Sequence, residues 1–302
     1  MSPVASPAAS SCASARLEPR LRKVQCVGPH GLHHMAYTEW GAADNPEVVL
    51  CVHGLTRNGR DFDELARVLA ADYRVVCPDV VGRGHSDWLA VKSDYGFPLY
   101  MADMITLIAR LDVEQVDWVG TSMGGIIGML IAALPHSPIR RLVLNDVGPV
   151  ITPLALQRIA QYVGTAPVFP DLEVAEAYLR QTCAPFGALS DAQWRHLTHH
   201  SVRPLQQGSD GLVMHYDPAL GDIFRATPVN TPIDLWTAFD AIRCPTLALR
   251  GAESDLLAPE TLQQMAARGP RARTVEFPAV GHAPMLMDPL QISTVGTFLG
   301  AC

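Results

Sequence analysis

The chain is predicted to be an α/β protein: a mostly parallel sheet with helices on both faces and a helical segment inserted into it. Three observations lead there. Apolar runs of strand length alternate with helix-length stretches over 21–149 and again over 232–302, and that rhythm gives parallel strands joined by right-handed crossovers. The strand-like runs end in loops rich in Gly, His, Asp and Ser, and in such sheets function gathers at the carboxyl ends of the strands. Between 150 and 231 the rhythm stops, and helical stretches punctuated by proline take its place.

The bulk numbers set the class. A chain of 302 residues can bury a large core. Its 48% hydrophobic and 18% charged residues describe a globular, enzyme-like protein rather than a disordered one. A net charge of −7 argues against nucleic acid or an anionic membrane surface as partner. No apolar run is long enough to span a bilayer. Seven cysteines without a CxxC or a close Cys/His spacing argue against zinc, and fit a reducing, cytoplasmic compartment. The pairs His33-His34 and His199-His200 read as solvated or capping histidines rather than metal ligands. Residues 1–20 read as a disordered tail with no secretory pattern.

Taken in order, Leu21–Val27 and His34–Trp40 are strands around a Gly28-Pro29-His30-Gly31 turn. A buried strand follows over Glu47–Val52, then a helix with Phe62, Leu65, Ala66 and Leu69 on one face, then a strand over Tyr73–Cys77. The loop from Asp79 to Asp87 is too Gly-rich for regular structure, and a helix spans about Pro98 to Leu111. Val116–Val119 and Arg140–Leu144 are the next strands. The insertion holds helices over Leu154–Val163 and Leu172–Thr182 and a third after Ser190, where Gln193 completes a capping box. Beyond it come a helix over Leu235–Ile242, a strand over Thr246–Leu249 and a helix over Pro259–Ala267. A last strand at Arg273–Phe277 and a helix at Pro289–Leu299 close the chain.

The stretch that carries chemistry is Gly120-Thr121-Ser122-Met123-Gly124, set between an apolar strand and an apolar helix. That context is what a nucleophile elbow demands: the serine backbone is strained, and side chains two residues either side must be minimal. It also exposes a hydroxyl beside a helix N-terminus, whose free N–H groups can bind a developing oxyanion. A serine hydroxyl needs a base, and the base needs an orienting anion. His282, in the loop after the last strand, is the expected general base, and Asp255, after the preceding strand, the expected acid. Glu253 stands two residues away, and Asp146 also ends a strand.

The oxyanion hole is expected from the N–H groups of Leu55 and Met123, with Gly54 permitting the turn and His53 pinning the loop or touching substrate. Arg83 and His85 either contact a ligand or stabilise their loop. Trp194, Tyr216, Met214 and Phe186 are pocket candidates that packing between the insertion and the sheet explains equally well.

The motifs HGLTRNGRDFD (53–63), DVVGRGHSD (79–87), GTSMGG (120–125), RGAESDLLAP (250–259) and VGHAPML (280–286) together resemble the α/β-hydrolase superfamily. The likeness runs from about Leu21 to the end, the cap excepted. It implies an eight-stranded, mostly parallel sheet flanked by helices, a Ser-His-Asp triad and no cofactor. In overall look the chain is most similar to capped bacterial carboxylesterases, which include intracellular esterases of short-chain and polyester-like substrates. Serine at the elbow tells against epoxide hydrolases and haloalkane dehalogenases, which place a carboxylate there. The His53-Gly-Leu-Thr loop also lacks the extra glycine of hormone-sensitive-lipase-like enzymes.

The expected architecture is therefore a core over 21–149 and 232–302 with a helical cap over 150–231. The expected activity is that of a carboxylesterase-type serine hydrolase on small or oligomeric esters. A carbon–carbon bond hydrolase of ring-cleavage diketones would use the same triad with a different cap pocket. A ligand receptor would keep the triad and turn over slowly.

Overall fold

The computed structural model describes residues 18–301 apart from 207, 209, 210 and 227–230. Most of the expected N-terminal tail lies outside the described residues, and the first strand already starts at Arg20.

Eight strands form one sheet: β1 (Arg20–Gly28), β2 (Gly31–Trp40), β3 (Val48–Val52), β4 (Arg74–Pro78), β5 (Val116–Thr121), β6 (Ile139–Asn145), β7 (Thr246–Gly251) and β8 (Arg273–Phe277). Their spatial order is β1-β2-β4-β3-β5-β6-β7-β8. The β1–β2 and β2–β4 pairs are antiparallel and every other pair is parallel, so β2 alone runs against the rest. β3 and β5 sit at the centre, and all of β3 is buried. A strand covered on both faces reads as an unbroken apolar run, which is how Val48–Val52 looks in the sequence.

The pleat sends alternate side chains of β3 to opposite faces. Val48, Leu50 and Val52 join a core with Met104 and Leu107 of α2 (Phe97–Arg110), Ile127 of α3 (Met123–Ala132), and Phe239 and Met265 further on. Val49 and Cys51 join the other core, with Leu65 and Leu69 of α1 (Asp63–Leu69) and Val295 and Leu299 near the C-terminus. Trp118 reaches from β5 into the first core, and its indole N–H donates to the Gly124 carbonyl at 3.0 Å. The nucleophile turn is thereby tied to that core.

Between β6 and residue 235 no described segment joins this sheet. The insertion carries α4 (Pro153–Tyr162), α5 (Leu172–Thr182), α6 (Asp191–Ser201) and α7 (Asp222–Ala226). The Ser190 capping box closes as the spacing predicts. Two small sheets were not expected: a three-stranded one from 168–169, 202–204 and 212–214, and a ribbon pairing Val150–Ile151 with Ile233–Asp234. Runs of two or three residues carry no periodicity to read. The ribbon brings the two ends of the insertion side by side. After it come α8 (Trp236–Ala241), α9 (Pro259–Ala267) and α10 (Pro289–Leu299), the last two matching the sequence expectation.

The insertion is fastened to the loops at the strand ends. Asn58 donates to the His200 carbonyl at 2.8 Å, and Arg57 Nη1 to Ser201 Oγ at 2.8 Å. The Gly-rich 79–87 loop pairs with 215–217: the Gly84 N–H donates to His215 O and the Asp217 N–H to Gly82 O. The Asp217 carboxylate accepts from Tyr95 and Lys92. Among the described residues no helix is long and apolar enough to cross a membrane.

Candidate active site

The chain leaves β5, turns at Ser122 and enters α3 at once. Ser122 takes φ 53° and ψ −116°, a backbone that a non-glycine residue adopts only where its surroundings force it. Gly124 supplies part of that force, since a Cβ there would stand 2.0 Å from the Val52 carbonyl oxygen. Gly120 likewise lies so close to the Gly124–Gly125 backbone that a Cβ would come within 2.4 Å of it. The sequence spacing thus reflects two real close approaches.

Three side chains meet at this end of the sheet. His282 Nε2 lies 3.0 Å from Ser122 Oγ, and His282 Nδ1 lies 2.7 Å from an oxygen of Asp146. Asp146 directly follows β6, the neighbour of the nucleophile strand, and is fully buried. Its Oδ1 accepts the Gly251 N–H at 2.9 Å, and its Oδ2 accepts Ser254 Oγ at 2.6 Å. A carboxylate held in this way cannot swing, so Nδ1 stays the protonated nitrogen of His282 and Nε2 is left free to take a proton from serine.

Asp255, the acid expected from sequence, is not at this junction. Its side chain is half-exposed and pairs with Arg158 of α4, Nη2 donating to Oδ1 at 3.0 Å and Nε lying 2.5 Å from Oδ2. The reason lies one residue earlier. Ser254 turns inward to bond Asp146, and its Oγ also accepts the N–H groups of Leu256 and Leu257, which leaves the next side chain facing out. The legible signal was the aspartate closing the strand adjacent to the elbow strand. Motif order alone could not rank it above Asp255.

Leu55 lines the same cavity as Ser122, and Met123 follows the serine directly. Among the described residues neither backbone N–H has a hydrogen-bond acceptor. His53 orients the first of them. It is fully buried, accepts the Val80 N–H on Nε2 at 2.9 Å, and donates from Nδ1 to the Gly54 carbonyl at 2.6 Å. Fixing that carbonyl fixes the Gly54–Leu55 peptide plane, whose N–H points the opposite way. Burial drives the His53 imidazole down to about 3, so it remains neutral in this double role.

Arg83 completes the frame, a residue the sequence left open between ligand and loop. Its buried guanidinium donates to Leu55 O at 2.8 Å, to Val81 O at 2.7 Å and to Tyr100 at 3.1 Å, and reaches Met123 Sδ at 3.4 Å. It touches both residues expected to form the oxyanion hole. Asp79 braces the same loops by accepting the Gly59 and His85 N–H groups.

A cavity opens over Ser122 and His282, walled by sheet loops on one side and the insertion on the other. Of the pocket residues expected from sequence, His53, Phe186, Met214 and Tyr216 line it. Trp194 does not. It is buried behind Phe186, rings parallel with centroids 6.5 Å apart, and packs with Met285 and Met287. Sequence reasoning missed Arg158 and Tyr162, four residues apart on α4, which both face the cavity.

Among the described residues two clusters have donor sets suited to a metal, Cys26–His33–Asp103 and Asp63–His196–His200. In the first, His33 Nε2 bonds Asp103 at 2.9 Å. In the second, both oxygens of Asp63 already accept from Arg60. None of their residues lines the cavity over Ser122.

Residues 49–292 match the model of a family described as alpha/beta hydrolase. The chain belongs to the alpha/beta hydrolase family. It is 53% identical over 286 residues to a 3-hydroxybutyrate-oligomer hydrolase of Cupriavidus necator, a match covering 93% of this chain and 97% of the relative. An alpha/beta hydrolase from Novosphingobium aromaticivorans superposes with a TM-score of 0.83 at 36% identity, over 94% of this chain and 99% of the other. The crystal structure of a Rickettsia typhi protein gives a TM-score of 0.86 at 30% identity, with the same coverage of 94% and 99%. The hydrolase class expected from the motifs is thus the one the family match gives.

Proposed function

We propose that the protein hydrolyses short hydroxyalkanoate ester oligomers of the 3-hydroxybutyrate type through an acyl-enzyme on Ser122. The observation that carries the chemistry is the unbroken chain Asp146–His282–Ser122, with distances of 2.7 and 3.0 Å, opening into a cavity. The substrate class follows the relative that shares 53% of its residues almost end to end.

In this reading Ser122 Oγ attacks the ester carbonyl as its proton passes to His282 Nε2. The Leu55 and Met123 N–H groups hold the tetrahedral oxyanion. His282 then returns the proton to the departing alkoxide, which leaves as the hydroxyl end of one fragment. Water, deprotonated by His282, releases the other fragment as a carboxylic acid and frees Ser122. The segment 150–231 acts as a cap that walls the cavity, and the enzyme works in the cytoplasm. Apolar cavity residues such as Ile159, Leu179 and Met214 suit a methyl-branched backbone without charge along its length.

Chromatography of a 3-hydroxybutyrate trimer incubated with the protein tests the reading. Monomer and dimer should accumulate with the wild type. With Ser122→Ala the rate should fall by about a million-fold, to the background left by the binding site alone. An intact trimer after prolonged incubation with active wild-type protein would refute the substrate class.

A further inference from the structure

A hydroxyalkanoate oligomer is neutral along its backbone and carries one charge, the carboxylate at its acid end. Reading that end takes a cation in the cavity. Two cations line it, Arg57 and Arg158. Arg57 is spoken for: its Nε and Nη2 bond both oxygens of Asp61 at 2.8 and 2.5 Å, its Nη1 bonds Ser201, and the pair is nearly buried. Arg158 is different. Its partner Asp255 has a side chain 51% exposed, and Arg158 itself is 36% exposed. An ion pair so open to water holds little net energy and exchanges readily.

We propose that Arg158 is the receptor for the terminal carboxylate of the oligomer, which displaces Asp255 from the guanidinium. The planar fork of arginine matches a carboxylate through two parallel hydrogen bonds. Tyr162 lies one turn further along α4 on the same face, and its phenol is pushed up by burial and so stays protonated, a second donor beside the fork. Asp255 then serves as a stand-in that keeps Arg158 extended between turnovers. The site would favour free-acid oligomers over the same oligomers capped as methyl esters. It rests on the substrate reading above.

The test compares kcat/KM for a 3-hydroxybutyrate trimer and for its methyl ester, taken as a ratio for each protein. Arg158→Gln should lower the acid-to-ester ratio about tenfold, through loss of a charge-assisted bidentate contact. Asp255→Asn, which removes the competitor and leaves the cation, should raise the ratio several-fold, and it answers the question even if Arg158→Gln folds poorly. A ratio unchanged in both variants overturns the carboxylate subsite while leaving oligomer hydrolysis standing. Wild-type protein that cleaves p-nitrophenyl butyrate but neither trimer overturns the substrate reading and this inference with it.

Discussion

Ser254 donates its hydroxyl to Asp146 at 2.6 Å, on the same carboxylate oxygen that faces His282 at 2.7 Å. The loop after β7 therefore gives the Asp146 carboxylate a hydrogen bond, and in the proposed mechanism Asp146 rather than Asp255 orients the imidazole. Asp146→Asn should lower kcat on p-nitrophenyl butyrate by about 10⁴-fold, because an amide no longer fixes the imidazole tautomer. Ser254→Ala should cost far less, roughly three- to tenfold, since the Gly251 N–H still anchors the carboxylate. Asp255→Asn should keep kcat on this uncharged ester within a factor of a few. A steady-state series on the three variants checks the order, and a collapse of activity in Asp255→Asn alone would reverse the assignment.

Arg83 bridges Leu55 and Met123 from inside the core. Arg83→Met fills much of the same volume and removes every donor, leaving the Leu55 and Val81 carbonyls unpaired. Stability should fall by about 2–4 kcal/mol in urea titration. In the protein that remains folded, kcat should drop about tenfold or more, with KM changing less, because the oxyanion donors lose their frame.

Gly124 sets the other wall of the elbow. Gly124→Ala places a methyl 2.0 Å from the Val52 carbonyl oxygen, a contact that only backbone movement can relieve. The variant should lose at least about 2 kcal/mol of stability, read as a lower urea midpoint, and react more slowly with a fluorophosphonate at Ser122.

Three histidines make stability fall in mild acid. Burial holds His53 and His200 down at about 3, and His215 at about 4. Nearby Arg60 and neighbouring histidines add to the effect on His200. Below about pH 6.5 the unfolded chain protonates these rings while the folded one does not. Their contribution is thus whole above pH 6.5 and drains away as the pH falls, toward 4 for His215 and toward 3 for His53 and His200. Each ring accounts for up to about 1.4 kcal/mol per pH unit across that window. Urea midpoints at pH 7.5, 6.0 and 5.0 should decline progressively, and His215→Gln should flatten the slope by one proton.

The sheet, its flanking helices and the elbow were legible because each leaves a periodic or steric trace. The α5, α9, β8 and α10 boundaries coincide with the expected ones, since Pro, Gly and capping residues punctuate them. Ser122 and His282 were legible from their loops. What escaped depended on which strands lie side by side. Asp146 outranks Asp255 only once β6 and β7 are seen as neighbours with Ser254 turned inward. Trp194 and Phe186 are both aromatic residues of the insertion, and nothing local tells the one facing the cavity from the one stacked behind it.

The ribbon of Val150–Ile151 with Ile233–Asp234 closes the neck of the inserted segment. Because entry and exit are zipped together there, lengthening or replacing what lies beyond need not disturb the register of β6 against β7. Substrate preference can then drift through exchange of that lobe while the bond-breaking apparatus stays in place, and a graft cut at this neck is the natural seam for re-targeting the enzyme.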